Sequence, residues 1–316
     1  MTTELVLLGT AGAPMPVAGR GGISSALVVD GRVFVIDCGR GSPSAFANAG
    51  LDFTLLEAIF LTHLHADHIG DLPGMILYPW GIRTSAPGPI LVYGPSRPAA
   101  LPDGDVTFHR QTTISPELPA PGAADLVGHI LAGYAYHLNV MPLDSYMPDP
   151  SALVRGIGIA TGTDPADSAP APVVVLDDAG VRVTAAAVTH GHAIPALAYR
   201  FDTADGSVVF SGDTTVNQNL IALAQGADIL VHQVADLDYL RRHGMDDAEV
   251  AQMATLHTDV SQVGSVAQQA GARELILNHY LPADPQAITT DEWERRGAHG
   301  FGGKTTAGHD GLRRTL

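Results

Sequence analysis

Cysteine and lysine each occur once in the 316 residues, as Cys38 and Lys304. A lone cysteine cannot close an internal disulfide, so nothing in the chain signals a scaffold stapled for an oxidising compartment. Cys38 reads as a buried structural thiol. Charged residues make up only 16% and aromatics 6%, against 46% hydrophobic residues, which excludes wholesale disorder and allows a substantial core. No apolar run approaches the ~18 residues of a membrane span. The start, Met1-Thr2-Thr3-Glu4, lacks the basic region of a signal peptide, so a cytoplasmic protein away from membranes is expected. Lys and Arg total 17 against 33 Asp and Glu, a formal net charge of −16. Phosphate contacts dominate nucleic-acid affinity, and no Lys/Arg cluster stands out along the chain, so no nucleic-acid partner is expected.

Glycine and proline are plentiful, at 35 and 22 residues, as suits many short strands joined by tight turns. Residues 5–8, 25–29 and 33–37 read as strands, the last two forming a hairpin across Asp30-Gly31. A short helix is expected over 42–49, and buried strands over 58–61 and 90–93. The stretch 95–172 is the least legible: rich in proline, without clear periodicity, and ending in a small-residue loop at 161–172. Order resumes with a four-strand meander at 173–176, 181–187, 196–201 and 207–211. An alternation follows: helix 217–224, strand 229–231, helices 246–255 and 260–270, strand 275–277, then a last strand and tail in 301–316. Meanders followed by α/β alternation, twice over, predict two packed sheets with helices outside.

The chemistry is concentrated in His63-Leu64-His65-Ala66-Asp67-His68. Residues two apart at a strand end point the same way, so His63 and His65 can converge on one ion, while Asp67 and His68 begin the next turn and can face a second. Imidazole nitrogen and carboxylate oxygen are zinc ligands, and a catalytic zinc keeps a position open for water. Further candidates stand just past strand ends: His190 and His192 after 181–187, Asp213 in Ser211-Gly212-Asp213-Thr214, and His279 in Leu277-Asn278-His279-Tyr280. A carboxylate on the Gly212 turn is suited to bridging two metals.

This order of motifs resembles that of metallo-β-lactamase-fold hydrolases. Leu8-Gly9-Thr10-Ala11-Gly12-Ala13-Pro14 and Ile36-Asp37-Cys38-Gly39 also fit, so the likeness covers nearly the whole chain. Within that superfamily, residues 195–201 and His257-Thr258-Asp259 resemble the ribonuclease Z and arylsulfatase-like branch. The resemblance implies a single domain over 1–316, an α/β fold built as a four-layer αββα sandwich, and a pocket formed by the 95–172 segment. It implies two Zn(2+) ions, with manganese or iron possible. One would be bound by His63, His65 and His190, the other by Asp67, His68 and His279, with Asp213 bridging. The step from His190 to Pro195 fits the arylsulfatase-like pattern and the shorter step from His192 fits ribonuclease Z; His190 is preferred. His232 resembles a histidine that supports the metals from behind, or is a plain core residue.

The implied reaction is hydrolysis of an ester-type bond, carboxylic, phosphoric, sulfuric or lactone, in a small organic substrate. Asp67 would bind metal and orient the nucleophile, and His257 would protonate the leaving oxygen. The alternative is a phosphodiesterase of the ribonuclease Z-like branch acting on a small nucleotide or phospholipid-like compound; a non-hydrolytic oxygenase or a scaffold on the same fold is a further reading. Only 22 residues separate His190 from Asp213, leaving no room there for the long arm with which many ribonuclease Z enzymes grip transfer RNA. With the acidic charge, this argues against RNA processing. A homodimer is compatible with the resemblance. Trp80, Tyr78 and Tyr146 read as ordinary packing residues, or as aromatics of the pocket wall that their segment would build.

Overall fold

Asp30 and Gly31 both take positive φ, 50° and 83°, the geometry of a two-residue turn whose twist matches its flanking strands. It joins β2 (Ser24–Val29) to β3 (Arg32–Ile36) as an antiparallel hairpin in the expected register, Val29 opposite Arg32 and Ser25 opposite Ile36. The computed structural model describes residues 2–86, 88–102, 113–161 and 171–316. In the first half, β1 (Thr3–Gly9), the hairpin, β4 (Leu56–Phe60), β5 (Ile90–Pro95) and β6 (Val154–Ile159) join the C-terminal β14 (Arg313–Thr315) in one sheet of order β14-β1-β2-β3-β4-β5-β6. The second half supplies β7 (Val173–Asp178), β8 (Val181–Val188), β9 (Ala196–Asp202), β10 (Ser207–Phe210), β11 (Ile229–Ala235), β12 (Glu274–Leu281) and β13 (Lys304–Ala307), in the order β13-β12-β11-β10-β9-β8-β7. Each sheet is antiparallel at one end and parallel at the other.

The scarce aromatics are spent between the sheets. Phe34, Phe60, Tyr93, Tyr199, Phe201 and Phe210 share that inner core, with Phe60 stacked on Tyr93 at 5.0 Å and edge-on to Phe201 at 5.1 Å. Rings in these arrangements add to the hydrophobic gain of burial. The outer face of the first sheet is covered by α1 (Ser42–Asn48), α3 (Leu72–Leu77), α4 (Ala123–Gly133) and α5 (Ala135–Asp144), the other by α6 (Gln218–Leu223), α9 (Val260–Ala270) and α10 (Thr290–Gly297). Four layers result, as expected. The periodicity of α9 is typical: Val260, Val263, Val266, Ala267 and Ala270 are buried, Asp259 caps its start and Gly271 at φ 61° ends it.

Three readings need correcting. The 95–172 stretch contains α4, α5 and β6, whose edge position leaves too little apolar pattern to read; the loop expected at 161–172 falls largely outside the described residues. The 301–316 tail is two strands in different sheets, joined across the 308–312 turn, where Gly311 N–H donates to Leu7 O. Four short helices outside that stretch went unread: α2 (Ala66–Ile69) inside the metal motif, α3 just after it, α7 (Leu237–Arg242) after β11, and α10 before the tail. Between α7 and α9 lies α8 (Asp247–Ala254). Among the described residues no helix is long and apolar enough to cross a membrane.

Candidate metal centre

Strand β4 runs out at Phe60, and the chain turns over the end of the sheet into His63–His68. His65 caps α2 in an extended conformation, which places Asp67 and His68 one turn on. Beneath this loop lies Asp37, at φ 58°, a conformation that is costly for a non-glycine and is kept when its surroundings demand it. The demand is visible. The Asp37 carboxylate accepts from the Thr62 N–H at 2.8 Å and the Thr62 hydroxyl at 2.9 Å, and stands 2.9 Å from His68 Nδ1. It therefore fixes the proton of His68 on Nδ1 and turns Nε2 toward the centre. Cys38, fully buried, takes no part: its backbone N–H donates to His68 O and burial pushes its thiol well up.

The other candidates arrive singly. His190 follows β8, and its Nδ1 donates to Leu256 O at 2.7 Å, leaving Nε2 for the site. Asp213 follows β10 through Gly212 at φ 58°, where a Cβ would come within 2.6 Å of Leu197 O. His279 sits on β12 at a register shift against β11, with φ 48°; the bulge swings its ring out of the ladder and into the centre. Gly12 makes room for that ring, since a Cβ there would lie 2.8 Å from His279 Nδ1.

His63, His65, Asp67, His68, His190, Asp213 and His279 all meet. Their ligand atoms fall into overlapping groups, His63/His65/His190, His63/His68/Asp213 and Asp67/His68/His279, with every atom in a group within 4.8 Å of the others. Tetrahedral zinc with bonds of ~2.0–2.1 Å needs ligand atoms about 3.3 Å apart. Here His68 Nε2 and His279 Nε2 are 3.2 Å apart, His279 Nε2 lies 3.2 Å from Asp213 Oδ2, and His68 Nε2 lies 3.5 Å from the same oxygen. His279 Nε2 is 3.4 Å from Asp67 Oδ2, and His190 Nε2 is 3.2 Å from His65 Nδ1. His63 Nε2 and Asp213 Oδ1 are buried with no hydrogen-bond partner. Lone pairs crowded this closely, some without a proton to share, fit divalent cations among them.

Electrostatics agree. Burial is the largest influence on Asp67 and Asp213 and works against their charge, yet the surrounding histidines win, holding Asp67 at about 2 and Asp213 well below the usual carboxylate range. Burial and the neighbouring His68 push His63 well below its ordinary value, so it stays a neutral ligand. Burial is likewise outweighed at His68, where Asp37 and Asp213 raise the pKa well above normal. The carboxylates have made a place for positive charge.

His192 is exposed, in a groove of about 370 Å³ walled by residues of the formerly illegible segment, including Pro95, Pro98, Pro119 and Pro121. It stands outside the cluster that holds His190. Of the candidate wall aromatics, Trp80 is buried, donating to Pro148 O, and Tyr78 and Tyr146 are exposed; none lines this groove or the pocket over the metals. His232 is fully buried, with its Nδ1 bonded to Gln233 O, and burial lowers it to about 4 although Asp213 of the cluster acts to raise it. His257 does reach it, 3.8 Å from Asp213. Its Nδ1 lies 3.0 Å from Gln233 Oε1, and Thr214 O takes the Gln233 amide N–H at 2.9 Å, so the amide oxygen must face His257 and Nδ1 carries the proton. Burial lowers His257 to about 3. The resting ring therefore offers Nε2 as an acceptor, not as the ready proton donor expected above.

Asp37 and Gln233 are the residues that sequence reasoning missed as parts of the site. Asp37 had a signal, an acidic residue at the end of a buried strand before a glycine. Gln233 had none.

A pocket of about 340 Å³ opens over the cluster, lined by Asp67, His190, Asp213, His257 and His279 and by an apolar lip that includes Pro14, Met253, Leu256 and Leu281. Compared with known proteins, residues 18–256 match the family model described as the metallo-beta-lactamase superfamily. Ribonuclease Z of Mycobacterium sp. (strain KMS) is 31% identical over 315 residues, covering 97% of this chain and 94% of that protein. Among solved structures, the metallo-beta-lactamase fold protein YhfI from Bacillus subtilis aligns with a TM-score of 0.65 at 17% identity over the whole of both chains. The short form of human tRNase Z aligns at 0.64 and 18% over 98% of each. At those identities the structural likenesses speak for the fold alone. The ribonuclease Z relatives overturn the expectation that no nucleic acid is involved. That expectation rested on net charge, on the lack of a Lys/Arg cluster along the chain and on the short His190–Asp213 interval; charge summed or read along the chain does not report where the cations sit on the surface.

Proposed function

The chain belongs to the metallo-β-lactamase superfamily and is a metal-dependent hydrolase, and on that premise we propose that it is a binuclear phosphodiesterase that cleaves RNA. The observation that carries the binuclear reading is Asp213 Oδ2, which has ring nitrogens of His68, His190, His257 and His279 within 3.8 Å, where a carboxylate would serve two ions at once; RNA rests on the relatives below. His63, His65 and His190 would hold one ion and Asp67, His68 and His279 the other, with zinc favoured by the imidazole-rich set. When bound, the ions supply a water activated at neutral pH and offset the charge that builds on the phosphoryl oxygens.

The chain's own residues do the rest. Asp67, ionised beside the pocket, accepts a hydrogen bond from the attacking water and orients it. His257, its Nδ1–H committed to Gln233, has Nε2 free to take up the proton that the attacking water loses and to deliver it to the leaving oxygen. The apolar lip of Pro14, Met253, Leu256 and Leu281 excludes bulk water and gives a flat base a surface to lie on. Ribonuclease Z as the name of relatives along nearly the full chain supports RNA as substrate, and the single buried thiol suits a cytoplasmic setting.

A second reading, an arylsulfatase-like hydrolase of a small organic ester, is favoured by one observation: among the described residues, neither the pocket nor the proline-walled groove has Lys or Arg in its lining. Metal-reconstituted protein offered an RNA hairpin beside nitrophenyl phosphodiester, sulfate, phosphotriester, carboxylic ester and lactone substrates separates the two. Chelator-sensitive RNA cleavage is expected; intact RNA alongside rapid sulfate or carboxylic ester hydrolysis would replace the first reading with the second.

A further inference from the structure

The chain that shows no basic cluster in its sequence makes one by folding. The last turns of α7 and α10 carry Arg241 and Arg242, and Arg295 and Arg296. Fifty residues apart in sequence at the least, these pairs face each other across a cleft of about 560 Å³ lined by the four arginines with Asp238 and Glu292. A cation at a helix C-terminus has a local reason to be there. That reason does not bring two helix ends together, nor explain four positive charges against two negative in a protein of net charge −16.

We propose that this cleft is a phosphate-binding site that anchors RNA beside the metal centre; it rests on the reading of RNA as substrate. Two arginines build the frame. Arg241 pairs with Asp238 at 3.2 Å and Asp247 at 3.0 Å, and Arg296 holds the fully buried Asp236, one bond at 2.9 Å. The other two are available. Arg242 donates only to the Asp238 carbonyl, Arg295 is exposed, and neither has a carboxylate partner among the described residues. Planar guanidinium groups on a rigid frame match phosphate oxygens in pairs. Among the described residues, the pocket and groove at the cluster have no Lys or Arg in their linings, whereas this cleft offers four arginines to a polyanion. The cleft is next to the chemistry: Asp236 donates its backbone N–H to Leu281 O at 2.7 Å, and Leu281 lines the pocket. One buried residue thus ties anchor to pocket.

The test is binding of a fluorescent RNA hairpin to the metal-loaded protein by anisotropy across about 50 to 200 mM salt, with kcat and KM for hairpin cleavage and for a nitrophenyl phosphodiester. Arg242→Glu with Arg295→Glu, both exposed and with metal content checked against the parent, should weaken hairpin binding at least ~10-fold and flatten the salt slope by about 2. KM for the hairpin should rise with kcat and the small diester unchanged. Arg242→Lys with Arg295→Lys should keep most of the affinity. Unchanged affinity and slope in the Glu variant, with RNA still cleaved, would overturn the anchor and leave the RNA reading standing. Failure of the parent to bind or cleave the hairpin would overturn both. Inorganic polyphosphate bound through these arginines while the hairpin is ignored would assign the cleft to another anion.

Discussion

The two halves of the molecule bring candidate metal ligands to the centre in different ways. The first half delivers His63, His65, Asp67 and His68 on one six-residue loop and braces it from below with Asp37. The second delivers His190 and Asp213 from past the ends of β8 and β10 and His279 from a bulge inside β12, each held by something else: Leu256 O behind His190, the Gly212 turn under Asp213, the Gly12 gap around His279. A contiguous motif carries its geometry with it. A dispersed one depends on sheet register, where an error of one residue turns a side chain to the opposite face.

That contrast can be broken most forcefully at Asp213, where the halves meet. Asp213→Ala should empty the centre of metal and cut chelator-sensitive hydrolysis by ~10³-fold or more, about 4 kcal/mol of transition-state stabilisation. Elemental analysis retaining two ions per chain would show that the oxygen is not shared. Next, His190→Ala should remove one ion and most activity, while His192→Ala leaves metal content alone and shifts stability by no more than about 0.5 kcal/mol; the reverse pattern would exchange their roles. Asp37→Asn tests whether the contiguous loop is self-sufficient. Asn tolerates the left-handed backbone, so the fold should persist while metal affinity falls ~10–100-fold. Titration with a competing chelator reads this, and undiminished affinity would mean the loop needs no brace. The smallest probe is Gly12→Ala, whose methyl would push on His279. Thermal melting should report a loss of ~1–3 kcal/mol, with lower occupancy of the ion on Asp67, His68 and His279; an unaltered melt and full occupancy would mean the ring moves aside freely.

Legibility in the sequence followed the same division. Local signals sufficed for the Asp30-Gly31 hairpin, the capped helix α9 and the His63–His68 loop, because each is decided by neighbours in the chain. The 95–172 stretch failed since β6 is an edge strand with only Val154 and Ile159 buried, and α5 carries Pro142 and buries only Leu138. Gln233, packed against His257 from 24 positions away, looked like any residue of a buried strand.

The sequence by itself determined the superfamily, the layered fold and eight candidate metal ligands, His190 and His192 both among them, because residue types at strand ends report which chemistry is available. Only the tertiary structure separated His190 from His192, found Asp37 beneath the loop, fixed the proton on His257 and drew four arginines into one cleft. Each of those depends on distances between segments far apart in the chain. Coulombic and hydrogen-bond energies are functions of such distances, and composition, which saw only a net charge of −16, contains none of them.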